Sequence, residues 1–554
     1  MKKVILYIKL LVLCLANFSC GNFLNEYSQT AAYIETVDDL DELLIAEGYL
    51  GREYGDESEF TLLHILADES QEAVTQPYGG GGAAAGGGNL PWKTMRGLYV
   101  WAEDPFVAYD GSTRSDVVWA NCYARISGVN TILDDGQAFV GNEKTDAQLN
   151  RIFGECYFLR AWNYFMLANI YGLPYNKDNL NDGGSIPLKL NPEIEDTKFS
   201  RDNTGDVYDQ IVADLKNSVS YLNRGEKASS NLHASVAAAW ALLSRVYLYM
   251  EEYELCEQAA DSVEGYGLYN FGSYSIGSGN TFLTTNCSEV IFAQGISGIE
   301  SVHESTTRGS GPNVVSEGKS FCVGDELENL FFTRDDSDNR ISNDLRASVF
   351  FTVSYFVATE QGGKPAHPGF LVCRKYRTVL DYTEYDPLTR NRITSVVNGT
   401  ELNEVGSIRY AEVVLNKAEA QACRDRVNEA RVMMSNFLAT RYSEVPDMPT
   451  DKADLIEFIR QERYKELCFE GHRWFDLRRY AVNKAHRQTT SIRHEYHVQI
   501  TQESFPIEGN YVLEAYNDQT KGVWMLPLPD EMIDYCYPIM TSYDRKNGVT
   551  RNVY

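Results

Sequence analysis

The stretch RYKELCFEGHRWFDLRR, residues 463–479, limits what this chain can fold into more than any other part of it. Tyr464, Leu467, Gly471, Trp474 and Leu477 recur at three- and four-residue steps, the period of one buried helical stripe, so the segment reads as a single helix. Charges wedged beside such a stripe need partners, because an unpaired buried carboxylate or guanidinium is costly. The helical spacing offers Arg463 with Glu466, Glu470 with Arg473 and Asp476 with Arg479. The expected role is that of a scaffold. A competing reading makes His472 and Asp476, four apart, part of a metal or acid/base site. No second His lies at a ligand spacing nearby, and polar clusters beside apolar stripes are usually paired structural networks.

The N-terminus carries Lys2 and Lys3, then an apolar run from Val4 to Ala16 broken by Lys9, which predicts a secretory signal over residues 1–19. Cys20 follows Ser19, and a small residue before Cys resembles a bacterial lipobox, in which the Cys is acylated and begins the mature chain. The usual Leu three residues before the Cys is Asn17 here. Lipidation at Cys20 is the expectation and cleavage by the ordinary signal peptidase the alternative; an acylated chain is anchored to a membrane, not embedded in it. The full sequence is 44% hydrophobic and 12% aromatic, so the chain beyond the signal has the means to bury a large core. Its formal charge of -28 becomes -31 without the three lysines of the signal. Such a surface repels nucleic acid and anionic headgroups and favours neutral or non-phosphate ligands. Nine cysteines remain beyond Cys14 and Cys20, an odd number that forbids complete pairing. Cys156, Cys256, Cys423 and Cys468 sit in helical patterns as small buried hydrophobes.

Helical patterns dominate two regions. Trp119, Tyr123, Ile126, Val129 and Leu133 mark one stripe, and the next helix, GECYFLRAWNYFMLANIYG at 154–172, is apolar nearly all round and therefore central. Val207, Ile211, Leu215, Val219 and Leu222 lead into residues 234–263, where a break at Glu251 and Glu252 separates two helices in the manner of a tetratricopeptide hairpin. A further stripe runs through Ile408, Ala411, Leu415, Ala418 and Ala422. Between 280 and 400 the pattern changes to short β-favouring runs, such as Val290 to Phe292 and Phe350 to Val353, broken by Gly, Pro and Asn.

Catalytic constellations are missing where they would be expected. HEYH at 494–497 lacks the zincin spacing, the glycine run at 79–88 lacks the Lys-Ser/Thr of a phosphate loop, and DDSDNR at 335 lacks the Gly and distal Glu of a calcium loop. No cofactor or metal is expected. Paired carboxylates abound in so acidic a chain, so a glycosidase stays open on the residues alone. Trp92, Tyr99 and Trp101 cluster after the glycine run, with Tyr78 before it, in a stretch without strong periodicity. They read equally as a surface platform for sugar rings or as core plugs.

These motifs together resemble the SusD/RagB family of bacterial outer-membrane nutrient-binding lipoproteins. The match rests on the 463–479 segment, on Asn130, Ile132 and Leu133, on Glu155, Phe158, Leu159, Arg160 and Ala161 followed by Tyr171, Gly172 and Pro174, and on the closing VWMLPLPDEMIDY. The family's Asn-Pro after that element is Tyr537-Pro538 here. The resemblance implies a mostly α, SusD-like fold over residues 20–554, with divergent tetratricopeptide-like hairpins at about 110–270 and 405–480. It also implies a loop-rich ligand lobe with short strands at about 60–110 and 271–404. The implied function is capture of oligosaccharide at the cell surface and delivery to a SusC-like TonB-dependent transporter, without enzymatic activity, nucleic acid or cofactor. Ligand contacts are then expected from Tyr78, Trp92, Tyr99, Trp101 and Tyr274. The loop at 295–320 has no Trp, Tyr or Phe, which keeps peptide capture open as the alternative, ahead of a surface glycoside hydrolase.

Overall fold

A computed structural model of the chain describes residues 34–50, 59–74, 94–274, 282–295, 299–304, 319–353, 370–376, 384–390, 392–393, 402, 405–498 and 506–553. The expected secretory signal over residues 1–19 and Cys20 lie outside them. So do the glycine run at 79–88, Tyr78 and Trp92. No described helix is long and apolar enough to cross a membrane.

The architecture is mostly helical. Five helices of nine or more residues come first: α1 Val117–Asp135, α2 Asp146–Tyr171, α3 Thr204–Leu222, α4 Val236–Tyr249 and α5 Tyr253–Asp261. Four more follow the strand-bearing middle: α6 Tyr410–Cys423, α7 Val427–Leu438, α8 Lys452–Leu467 and α9 Arg473–Val482. Asp116 caps α1 by accepting from the Val118 amide, and Ser235 caps α4 through the Ala238 amide. Burial of α2 on nearly every side makes it the spine of the fold. Gly154 allows α3 to approach it closely, since a Cβ there would lie 2.9 Å from the Leu222 amide nitrogen, and Ser218 on α3 donates to the Gly154 carbonyl at 2.7 Å. The negative end of the α2 dipole is met by two arginines: Arg478 donates to the Asn169 and Gly172 carbonyls and Arg201 to Tyr171.

Helices α4 and α5 form the expected hairpin, turning at Glu251 with φ 57°, and α6 and α7 form another, turning at Asp425 with φ 63°. The strands are short. Val290–Phe292 pairs with Ile408–Arg409, so Ile408, expected on a helical stripe, instead opens a short strand that runs into α6. Phe351–Val353, Leu371–Cys373, Glu384–Tyr385 and Arg392–Ile393 form a four-stranded sheet, and Ile492–His497, Ile507–Leu513 and Val549–Asn552 a three-stranded one.

The 463–479 segment departs from the expected single helix. It is the end of α8, a turn at 468–472 and the start of α9, because Phe469 and Gly471 adopt φ 58° and 76°. The turn sends the charges outward from one helix face into a buried ion lattice. Glu470 pairs with Arg409 at 2.5 Å and Lys375 at 2.7 Å, not with Arg473, whose guanidinium instead holds Asp68. Glu466 faces Arg346, Arg409 and Arg441 at 3.0–3.1 Å, while Arg463 turns to Asp476 at 2.8 Å. Of the three expected pairs only Asp476 with Arg479 forms, at 2.7 Å. Planar guanidinium forks bridging several carboxylates let this many charges leave water together. The described core takes in sixteen Lys and Arg against fifteen Asp and Glu, so the excess of acid among the described residues is carried by their surface.

Candidate functional site

Tyr99 is fully buried and Trp101 is 1% exposed. Both stack on the imidazole of His494, at ring separations of 4.1 and 4.3 Å, which places one on each of its faces. The Tyr99 hydroxyl accepts from the Glu72 amide and donates to the Glu495 carbonyl, and Trp101 Nε1 donates to the Leu66 carbonyl at 3.0 Å. With ring faces covered and polar atoms satisfied, these two side chains are core, and the reading of them as a solvent-facing sugar platform is corrected. They plug the junction of residues 59–74 with strand 492–497. His494 itself is sealed; burial pushes its pKa down to about 4 against the two backbone carbonyls beside its nitrogens. HEYH is thus an ordinary strand, with His494 and Tyr496 facing inward and Glu495 outward.

Tyr274 is half-buried, its hydroxyl accepting from Arg374 at 3.1 Å. The structure therefore brings none of the described candidate aromatics together on an open surface.

Nor does the described carboxylate chemistry assemble a working acid and base. Asp68 and Glu69 are neighbours whose acidities are driven apart: burial pushes Glu69 up to about 8, while in Asp68 the effect of burial is outweighed by Arg473, which holds it below the usual range. Such a split marks many acid/base sites. Here Glu69 is 0% exposed and both Asp68 oxygens are taken by Arg473, so neither presents a face to a substrate. His472 is likewise sealed, its pKa held low by burial and by Arg245 and Arg463, and Asp476 is bound by two arginines. No group of three or more His, Cys, Asp or Glu among the described residues is arranged to hold a metal.

What the structure does offer is an open groove of about 530 Å³ at the start and end of the α4–α5 hairpin. Ser230 and Asn231 precede α4, Gly265, Tyr266 and Gly267 follow α5, and residues 285–288 lead into the strand at Val290. The Asn231 amide donates to the Thr285 carbonyl at 2.8 Å, and its backbone carbonyl accepts from Ala293, which ties one wall to the strand. The opposite turn is self-braced, with the Cys287 amide on the Thr284 carbonyl and the Asn286 amide on Thr284 Oγ1. Tyr266 stands half-buried between two glycines, with Ser235 near its hydroxyl. None of these residues was singled out from the sequence. The available signal was the Gly265-Tyr266-Gly267 pattern, which leaves a ring without neighbours on either side along the chain.

Comparison with known proteins places this fold among relatives. A family model described as "Starch-binding associating with outer membrane" matches residues 96–248, and that of the "SusD family" matches residues 288–548. The SusD-like protein P38 of Formosa agariphila is 24% identical over 359 residues, covering 60% of this chain and 66% of that protein. Among solved structures, a SusD superfamily protein from Bacteroides thetaiotaomicron superposes with a TM-score of 0.62 at 22% identity, covering 92% of this chain and 99% of that one. A SusD-like carbohydrate binding protein from Bacteroides vulgatus superposes with a TM-score of 0.59 at 18% identity, covering 92% and 98%.

Proposed function

The chain belongs to the SusD/RagB family, and we propose that it is a glycan receptor held on the outer face of a bacterial outer membrane. In this reading it captures oligosaccharide and passes it to a SusC-like TonB-dependent transporter barrel, without chemistry of its own. The observation that carries the reading is the match of residues 96–248 to a family described as starch-binding and associated with the outer membrane. A fold neighbour named as carbohydrate binding supports it. Acylation at Cys20 would hold the protein at the membrane without a spanning segment.

Calorimetric titration of the mature protein against panels of oligosaccharides and of peptides tests the ligand class, and affinity purification from native membranes in mild detergent tests the partner. Saccharide binding and recovery of a large outer-membrane barrel are the expected results. Binding of peptides alone would move the function to peptide import, and turnover of a polysaccharide would make the protein an enzyme.

A further inference from the structure

We infer that the groove beside Tyr266 is a binding site for an uncharged saccharide, and that the protein discriminates against uronate- or sulfate-bearing glycans there. The inference rests on the glycan-receptor reading and adds a place and a chemical class to it.

The described lining is Ser230, Asn231, Tyr266, Asn286 and Ser288 with Thr285, two glycines, Cys287 and Val290, and it contains no charged side chain. Asn286 and Ser288 are exposed, and their side chains take no protein partner among the described residues. Amide and hydroxyl groups both donate and accept, which is what a ring bearing hydroxyls in several orientations requires. Tyr266 adds an aromatic face for the less polar side of a sugar ring. The volume falls in the range of about 300–1,000 Å³ usual for small-molecule sites. Because the walls are already hydrogen-bonded to themselves, little ordering remains to be done when a ligand arrives.

The same features argue against an anionic ligand. A carboxylate or sulfate entering this groove would lose hydration without gaining a cation among the described lining residues. The long-range field opposes it as well. Since the described core holds acids and bases in near balance, the acidic excess of the described residues is expressed at their surface, where it repels polyanions.

Two features of the groove make it testable in the full mature protein. Of the nine described cysteines, all free, eight are buried and Cys287 alone is partly exposed, so its alkylation by N-ethylmaleimide, located by peptide mass spectrometry, reports on the groove. Gly267 lines the groove and a Cβ built on it meets nothing within 4 Å, so Gly267→Leu adds bulk at the groove without a clash at the Cβ.

Titration with maltohexaose, xylohexaose, cellohexaose and mannohexaose, and with oligogalacturonate and sulfated carrageenan oligomers, should give binding in the neutral set only. The bound sugar should slow Cys287 alkylation; Tyr266→Ala and Gly267→Leu should each weaken binding at least about 10-fold, and the exposed Asn286→Ala less, with circular dichroism unchanged. Preferred binding of an anionic oligomer, or sugar binding that leaves Cys287 labelling and the Gly267→Leu affinity unaltered, overturns this inference while leaving the receptor reading in place. Binding of no glycan in either set overturns the receptor reading itself.

Discussion

Arg473 grips Asp68 through two parallel hydrogen bonds of 2.7 and 2.6 Å, joining positions 405 residues apart, while its guanidinium lies 3.7 Å over the ring of Tyr464. The pair is nearly excluded from water, and each partner alone would be an uncompensated buried charge. Asp68→Ala and Arg473→Ala should therefore each cost about 3–5 kcal/mol, with the double variant much less damaging than the sum. Urea melts of the four proteins measure the coupling, and additive losses would show that the two side chains act independently.

Acid should attack the lattice late. Burial alone would raise Glu419, but Arg479 and Arg460 outweigh it and bring the carboxyl to about 2, below its ordinary 4.5. Folding thus favours its ionised form; the resulting stability is complete above pH 4.5 and is lost as pH falls toward 2. Melting temperature followed from pH 6 to 2.5 should drop over that window, and Glu419→Gln, less stable at pH 6, should show a shallower drop.

Glu69 has the opposite sign. Its carboxyl is raised to about 8 by burial, with one oxygen held by the Phe469 amide and the other without a protein partner among the described residues. Folding favours the protonated form, so this group erodes stability as pH rises from 4.5 to about 8. Glu69→Gln keeps the accepting oxygen and removes the titration. Its melting temperature should exceed that of the native protein at pH 8, with the difference shrinking toward pH 4.5; no pH-dependent difference would show that Glu69 is ionised in the fold.

Because Tyr99 and Trp101 clamp His494 in the core, their truncation should be a stability defect. Trp101→Ala is expected to cost about 3–5 kcal/mol. The milder Trp101→Phe should stay folded and bind sugar with native affinity, as measured by calorimetry; a loss of affinity without loss of stability would return these rings to the ligand site.

Cys20→Ala should release the protein from the membrane fraction and remove the acyl mass from its mature N-terminus. Unchanged retention and unchanged mass would show that the chain is held by something other than a lipid.

Of the long helices, α1, α3 and α6 were legible because each carries an apolar stripe with a helical period, and α2 announces its central place by being apolar on nearly all sides. The pairing of charges in the 463–479 segment was not. Helical spacing compares only residues on the same helix, and the positive φ at Phe469 and Gly471 breaks that register and hands Glu470 to Arg409 and Arg473 to Asp68, partners that no local pattern names. Tyr99 and Trp101 misled for a related reason: lack of periodicity marks irregular backbone, not exposure. The groove needs three segments that meet only after the α4–α5 hairpin forms, so none of its residues was named from the sequence, where Tyr266 between its glycines was the one available signal.

The stretch 59–74 is completed from far down the chain: Glu69 by the Phe469 amide, Asp68 by Arg473 and the Ala67 carbonyl by His494, across 400, 405 and 427 positions. During synthesis, then, the apolar run can settle early, Phe60 against Trp162 and the Leu66 carbonyl on Trp101, but its polar end at 67–69 stays incomplete until nearly nine-tenths of the polypeptide exists. Loops of that size close slowly. A product truncated before residue 468 is consequently left with Asp68 and Glu69 lacking the groups that hold them inside the fold, which suits it for proteolysis rather than for partial function.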